Sequence, residues 1–327
     1  MISELQSETW KRLTGLADRL PHALLLHGAP GVGKLALAER FAQFLLCEAR
    51  GQGGEPCGRC ESCRWFAAGN HPDVRIVEPE AVALALGRPA PEEEDEEGGG
   101  AKGKKNPSVE IRIGQARDLG GFINLASHRG GRRVCILHPA ESMNTATANS
   151  MLKSLEEPPA GAVFLLVSHR PARLLPTIRS RCVPVPVPLP ERKAAAAWLA
   201  KQGVKNAGQW LAFAGGAPRR ALEYAAGERG EAIERVLKRL AAGDRAALSE
   251  VAGREDVESL AEVLHKLALD RAFAILTGSG KYGGGGGGDA RAWLAYARQM
   301  GRHRTLVGHP LNPRLFATEM VAGMPER

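Results

Sequence analysis

The chain has 327 residues, enough for two or three domains, and a 44% hydrophobic content sufficient for a sizeable core. Its formal net charge of +8 includes an acidic run at 92–97, so the rest is more basic still, as suits a polyanionic partner such as nucleic acid or simply a soluble basic surface. No apolar run approaches the roughly 20 residues that span a bilayer, and residues 1–20 intersperse Glu4, Glu8, Lys11, Arg12 and Asp18, unlike a secretory signal. A cytoplasmic chain with reduced cysteines is expected.

In chain order, the apolar run Ala23–His27 ends in a Gly-rich turn. A helical pattern follows over Lys34–Leu46, with Leu35, Leu37, Ala38, Phe41 and Leu45 at roughly helical spacing. Buried-strand patterns recur at Val74–Val77, 133–138, Ala162–Ser168 and 182–187, with helical stretches between them, notably 145–157. Strands alternating with helices predict a parallel α/β sheet. From 80 to 107 the pattern collapses into the acidic run, Gly98, Gly99, Gly100 and Lys102, Lys104 and Lys105, which predicts a disordered surface insertion. Past the proline-punctuated 183–190, Ala- and Leu-rich helical patterns run to the end, broken at Gly215-Gly216 and at the glycines 283–288. Boundaries are expected near Pro190 and Gly230, dividing the chain into 1–189, 190–230 and 231–327.

Gly28-Ala29-Pro30-Gly31-Val32-Gly33-Lys34-Leu35 fits the phosphate-loop pattern except at its last position. The glycines let backbone N–H groups curl around phosphates at a helix N-terminus, and the lysine adds a point charge. The eighth residue should be Ser or Thr, whose hydroxyl ligates Mg²⁺; Leu35 cannot. A hydrolase of this type also needs acidic residues at the end of a neighbouring strand. The candidate strand 133–138 ends in His138-Pro139, and Glu141, three residues on, is expected to point away from the site. His138 reads as a structural strand-end histidine rather than a catalytic imidazole.

Cys47, Cys57, Cys60 and Cys63 are separated by nine, two and two residues, so the last three form overlapping Cys-x-x-Cys pairs. Turns at this spacing let thiolates converge on a tetrahedral Zn²⁺, with Gly58-Arg59 suited to the turn. Arg50, Arg59 and Arg64 nearby favour thiolates. Four thiolates leave no open coordination position, so a structural ion is expected, with a nucleic-acid-reading knuckle as the rival. His71 is a fallback ligand, though His71-Pro72-Asp73 reads better as a strand entry; Cys135 and Cys182 read as core.

Two further segments carry a family resemblance. Ala148-Asn149-Ser150-Met151-Leu152-Lys153-Ser154-Leu155-Glu156-Glu157-Pro158-Pro159 resembles the signature helix of clamp-loader subunits. Leu174-Leu175-Pro176-Thr177-Ile178-Arg179-Ser180-Arg181-Cys182 resembles the Ser-Arg-Cys motif of the same family. With the Gly-rich loop and the cysteine cluster, in the family's order, they make residues 20–190 similar to the clamp-loader subunits of bacterial DNA polymerase III, within the AAA+ superfamily. Beyond 190 the resemblance rests on helical character and on Asn312-Pro313-Arg314.

The resemblance implies an AAA+ ATPase-like α/β domain with a zinc module at 47–63, a helical lid over 190–230, and a helical collar over 231–327 that holds a pentamer together. The family's ATPases, gamma and tau, keep an intact phosphate loop and an Asp-Glu pair. The departures at Leu35 and His138-Pro139 match its non-hydrolysing members, so no intrinsic ATPase activity and at most weak ATP binding through Gly28, Gly31, Gly33 and Lys34 are implied.

The motif arginine maps onto Arg181, implying an arginine finger donated in trans to a neighbour's ATP. From Arg181 alone, a strand-entry arginine in a salt bridge is the alternative. Ser180 and Cys182 read as packing residues and Arg179 as a solvated neighbour. The implied partners are gamma/tau and delta subunits in a heteropentamer, the sliding clamp and primer-template DNA, as a component of the replicative DNA polymerase III holoenzyme. Arg219 lies where superfamily ATPases keep a second phosphate-sensing arginine, but reads better as a helix-start surface residue. Arg112 and Arg117 suit DNA phosphates if their helix start faces the central channel. The alternatives are a gamma/tau-type ATPase, opposed by Leu35 and His138-Pro139, and a zinc-dependent DNA-binding protein, opposed by the Ser-Arg-Cys segment.

Overall fold

The computed structural model describes residues 5–50, 54–90, 106–129, 131–226, 254–278, 288–306 and 312–325. The acidic run 92–97, Gly98 to Lys105, the boundary expected near Gly230 and the glycines 283–287 lie outside them. The chain divides into two compact units, 1–190 and 191–327.

The first unit is built on five parallel strands, β1 (Ala23–His27), β2 (Val74–Val77), β3 (Arg133–Leu137), β4 (Ala162–Ser168) and β5 (Val183–Pro186), in the order β2-β3-β4-β1-β5. β3 and β4 are buried along their whole length, as apolar runs covered on both faces must be. Alternation sends Ala23, Leu25, Cys135, Leu137, Phe164 and Leu166 into one core, against Ala116, Leu119, Phe122 and Ile123 of α5 (Ile113–Asn124) and Ala148, Met151 and Leu155 of α6 (Thr145–Glu156). On α2 (Lys34–Leu46), Leu37, Ala38, Phe41 and Leu45 are buried, and Trp10 of α1 (Ser7–Gly15) meets Phe41 and Phe44 edge-on. Cys135 and Cys182 are core residues, as expected.

One expectation fails at the insertion. The stretch from Glu80 opens with a helix, α4 (Glu80–Ala85), preceded by Pro79 and stopped at Gly87. The Glu80 carboxylate accepts the Ser108 N–H, and Ala81 N–H donates to the Ser108 carbonyl, closing the base of the insertion. Pro before a helix and Gly after it are ordinary punctuation; the acidic and glycine-rich composition further on obscured it.

The second unit is helical. Helices α8 (Arg192–Lys201), α9 (Ala207–Phe213) and α10 (Pro218–Ala225) share one core of Leu199, Trp210, Phe213, Ala221 and Tyr224. Helices α11 (Arg254–Thr277), α12 (Ala290–Leu306) and α13 (Pro313–Ala322) share another, of Leu260, Leu264, Trp293, Met300, Phe316 and Met320. Val263 of α11 belongs to the first of these cores and its neighbours Leu260 and Leu264 to the second, so one long helix presents a face to each.

Candidate functional site

The Gly-rich loop sits between β1 and α2, at the carboxyl end of the sheet where α/β folds place ligands. Gly31 and Gly33 have φ of 77° and 97°, left-handed values that glycine adopts without strain. Gly28 is needed for close approach: a Cβ there would stand 2.3 Å from the Val187 carbonyl oxygen, because the chain leaving β5 presses on the loop. Gln6 closes the same corner, donating to the carbonyls of Pro188 (2.8 Å) and Val32 (3.4 Å). Lys34 is only 2% exposed, and its ammonium donates to the Gly28 (2.9 Å) and Ala29 (2.7 Å) carbonyls. The charge a phosphate would need ties the loop to itself, and burial lowers its pKa to about 8, opposed by the Glu141 charge.

Around it the strand ends carry histidines. His138 follows β3 and His169 follows β4, their rings meeting edge-on at 5.4 Å. Burial, then the charge of Lys34, drives His169 to about 4, so it is neutral near pH 7. His138 Nδ1 lies 3.7 Å from Glu78 Oε2, and Glu78 is gripped by Arg88 at 3.1 and 3.2 Å. Arg88 also pairs with Glu39 of α2. Sequence reading missed this trio, since Arg88 falls inside the stretch read as disordered.

Glu141 corrects an expectation. It does point inward: Oε1 accepts the N–H groups of His169 (2.9 Å) and Arg170 (3.1 Å), and the carboxylate is close enough to Lys34 to raise its pKa. The chain curls into a 3-10 turn at Ala140–Ser142, so strand spacing does not extrapolate there. One nearby carboxylate is thus committed to Arg88 and the other to two backbone amides. Leu35, next after Lys34, has no hydroxyl to offer a metal ion.

The four cysteines meet as the spacing requires. Their sulfur atoms lie within 4.8 Å of one another, with Cys47–Cys60 and Cys57–Cys63 both at 4.0 Å, near the roughly 3.8 Å edge of a tetrahedron with 2.3 Å metal–sulfur bonds. Gly58, at φ 69°, makes the turn between them. Backbone N–H groups of Cys57, Cys60 and Cys63 point at sulfur, at 3.3, 3.3 and 3.4 Å. The amides of Arg59 and Cys60 lower the Cys57 pKa to about 6, whereas burial raises that of Cys63. This donor set fits a closed tetrahedral site.

His71 is not a fifth donor to that cluster. Its Nδ1 accepts the Asp73 N–H (3.0 Å), and its Nε2 lies 2.8 Å from Ser62 Oγ, which itself donates to the Leu46 carbonyl. The ring is therefore a neutral Nε2–H strut joining α3 (Glu61–Ala67) to the entry of β2. Arg129, also missed from sequence, clamps the module with ion pairs to Glu48 and Glu61 and its guanidinium over Trp65.

Arg181 stands between α7 (Pro176–Arg179) and edge strand β5. It donates to the Thr177 carbonyl at 2.8 Å and forms an ion pair with Glu156, the last residue of α6. The salt bridge offered as the alternative for this residue therefore exists. Ser180, expected to pack, is exposed and donates to the Thr177 carbonyl; Cys182 is buried and Arg179 exposed. Arg112 stands at the N-cap of α5, its backbone N–H donating to Gln115 Oε1 at 2.9 Å, and it and Arg117 are exposed. Arg219 is exposed in the first turn of α10, while Arg220 beside it is tied into that unit.

A family model described as DNA polymerase III, delta subunit, matches residues 5–190. In Pseudomonas aeruginosa, a protein named DNA polymerase III subunit delta' is 42% identical over 217 residues, 65% of this chain and 58% of that protein. This chain belongs to the DNA polymerase III delta' family. The Escherichia coli delta' protein is 31% identical over 261 residues, 78% of this chain and 70% of its own length. The chain spans about half the length of some delta' relatives it matches, 47% for the one from Yersinia pestis. The delta' fold is shared with a gamma subunit-related protein of Thermotoga maritima, at TM-score 0.53, 17% identity and coverage of 96% of this chain and 97% of that one.

Proposed function

We propose that the chain is a stator of the sliding-clamp loader, lending Arg181 in trans to ATP held by a neighbouring gamma/tau subunit while hydrolysing none itself. The observation that carries this is the placement of Arg181 relative to the chain's own loop. In the β1–β5 pairing Leu24 faces Val183 and His27 faces Pro186, so Arg181 lies at the amino end of the sheet and the Gly-rich loop at its carboxyl end. The four residues of β5, about 13 Å of strand rise, lie between them. Arg181 cannot serve its own loop and is suited to a neighbour's. There its guanidinium would offer a fixed positive fork to the phosphoryl oxygens as charge spreads in the transition state, an effect of about 10³–10⁵ in rate when supplied in trans.

The rest of the reading follows from the same residues. Buried Lys34, Leu35 and the histidine strand ends support weak or no ATP binding and no hydrolysis. Cys47, Cys57, Cys60 and Cys63 hold one structural Zn²⁺. Lid (190–230) and collar (231–327) join gamma/tau and delta subunits in a heteropentamer that acts on the clamp and primer-template DNA in the cytoplasm, with Arg112 and Arg117 as candidate phosphate contacts. The test is reconstitution with gamma and delta subunits. A stable pentamer whose DNA-stimulated ATP turnover falls with Arg181→Ala is expected. Wild-type turnover and clamp loading by that pentamer would refute the role of Arg181, and Mg²⁺-dependent turnover by the isolated chain, abolished by Lys34→Ala, would refute the stator reading.

A further inference from the structure

Within its own chain Arg181 holds a partner, Glu156. Glu156 ends α6, and Glu157 follows it, so two carboxylates sit at the negative pole of a helix. Such a charge is disfavoured there unless a cation answers it. Arg181 is that cation, and its own remaining contacts are the Thr177 carbonyl at 2.8 Å and Ser180 Oγ at 3.5 Å, both through Nη1. A guanidinium has five N–H donors. Nη1 is turned to α7 and Nη2 is ion-paired with Glu156, while these contacts leave Nε–H unengaged. The Nε–Nη2 edge of the fork has the spacing that suits two oxygens of a phosphoryl group.

We propose that Glu156 is the positioning residue for the arginine finger: it fixes the Arg181 guanidinium against the end of α6 before assembly, so that its two-donor edge is presented ready to a nucleotide bound by the adjoining subunit. The proposal rests on the reading of Arg181 as a finger in trans. An arginine left free would have to give up its rotamer freedom on meeting the nucleotide, whereas one already held gives up less. Side-chain exposures of 32% for Arg181 and 47% for Glu156 leave the pair accessible from solvent.

The experiment uses the assembled pentamer with the wild type, Glu156→Gln, Arg181→Ala and the double variant. Glu156→Gln keeps the shape and removes the charge of a half-exposed residue, so assembly should be unchanged. Its ATP kcat should fall about 3- to 10-fold, well short of the loss in Arg181→Ala, with KM for ATP unaltered. The double variant should match Arg181→Ala alone. A normal kcat in Glu156→Gln beside a reduced one in Arg181→Ala would overturn the role of Glu156 and leave the finger standing. A normal kcat in Arg181→Ala would overturn both. A second measurement does not depend on catalysis: in the isolated chain, the Arg181 guanidinium NMR signals should show slow rotation about Nε–Cζ, made fast by Glu156→Gln. Equal rotation rates in the two proteins would overturn the proposal.

Discussion

Lys34 and Arg181, the cations of the two motifs, differ in what holds them. Lys34 is sealed among loop carbonyls with a pKa lowered to about 8 from 10.5. A lysine whose folded pKa is depressed penalises the folded state while charged, and the penalty fades as pH rises from about 8 towards its unfolded value. Wild type should therefore gain stability relative to Lys34→Met over the window from pH 8 to 10.5, by up to about 3 kcal/mol, in chemical denaturation. A constant difference across that window would contradict the buried charge. Arg181 is half-exposed, and its ion pair is worth about 0–1 kcal/mol. Arg181→Ala should melt within a degree or two of the wild type, and Arg181→Lys should restore little ATP turnover, because a lone ammonium lacks the planar fork. The loop, its missing hydroxyl and the arginine are all readable from consecutive residues. Glu141, Arg88 and Glu156 are not, because each acts on a partner distant in sequence.

The cysteine module draws its four sulfurs from the end of α2, a glycine turn and the first turn of α3. Its spacing is legible in sequence because the turn is short. Its attachment is not, since Ser62 and Trp65 of α3 meet His71 and Asp73 at the entry to β2 and Arg129 farther along the chain. The full chain purified without chelator should carry one Zn²⁺ per molecule, and Cys60→Ser should lose it; metal analysis decides this. Loss should expose the segment around 47–63 to proteolysis rather than alter DNA sequence preference. Gly28→Ala tests the other crowded corner: the new methyl would meet the Val187 carbonyl at 2.3 Å, so the backbone must move and the variant should unfold about 2 kcal/mol more easily.

At the scale of the molecule, the two units have different grounds for stability. The first rests on a sheet covered on both faces. The second contains a buried polar cluster: Glu262 and Lys266 of α11 with Arg220 and Tyr224 of α10. Burial lowers the Lys266 pKa to about 8 against the pull of Glu262, and its ammonium lies 4.2 Å from the Phe213 ring centre and 4.5 Å from that of Tyr224. Removing the Glu262 charge would take the ion-pair partner from both Arg220 and Lys266. Glu262→Gln should therefore lower stability by about 2–3 kcal/mol, somewhat less than for a fully buried pair, and unfolding of the second unit should report it. An unchanged denaturation midpoint would show that water already screens the cluster.

Sequence alone determined the parallel α/β unit, the position of all five strands to within a residue at their ends, the degenerate loop and the four cysteines. Each is written in short-range pattern: an apolar run, a glycine spacing, a Cys-x-x-Cys repeat. The prolines that follow the edge strand run up to Pro190, the last residue of the first compact unit. Only tertiary structure decided that Lys34 bonds its own loop, that Glu141 turns inward, that residues from Glu80 form a helix, and that Glu156 grips Arg181. These are meetings of residues far apart in the chain or side-chain choices between competing partners. Period and spacing carry no record of them, because which partner wins depends on burial and charge once the strands have closed into a sheet.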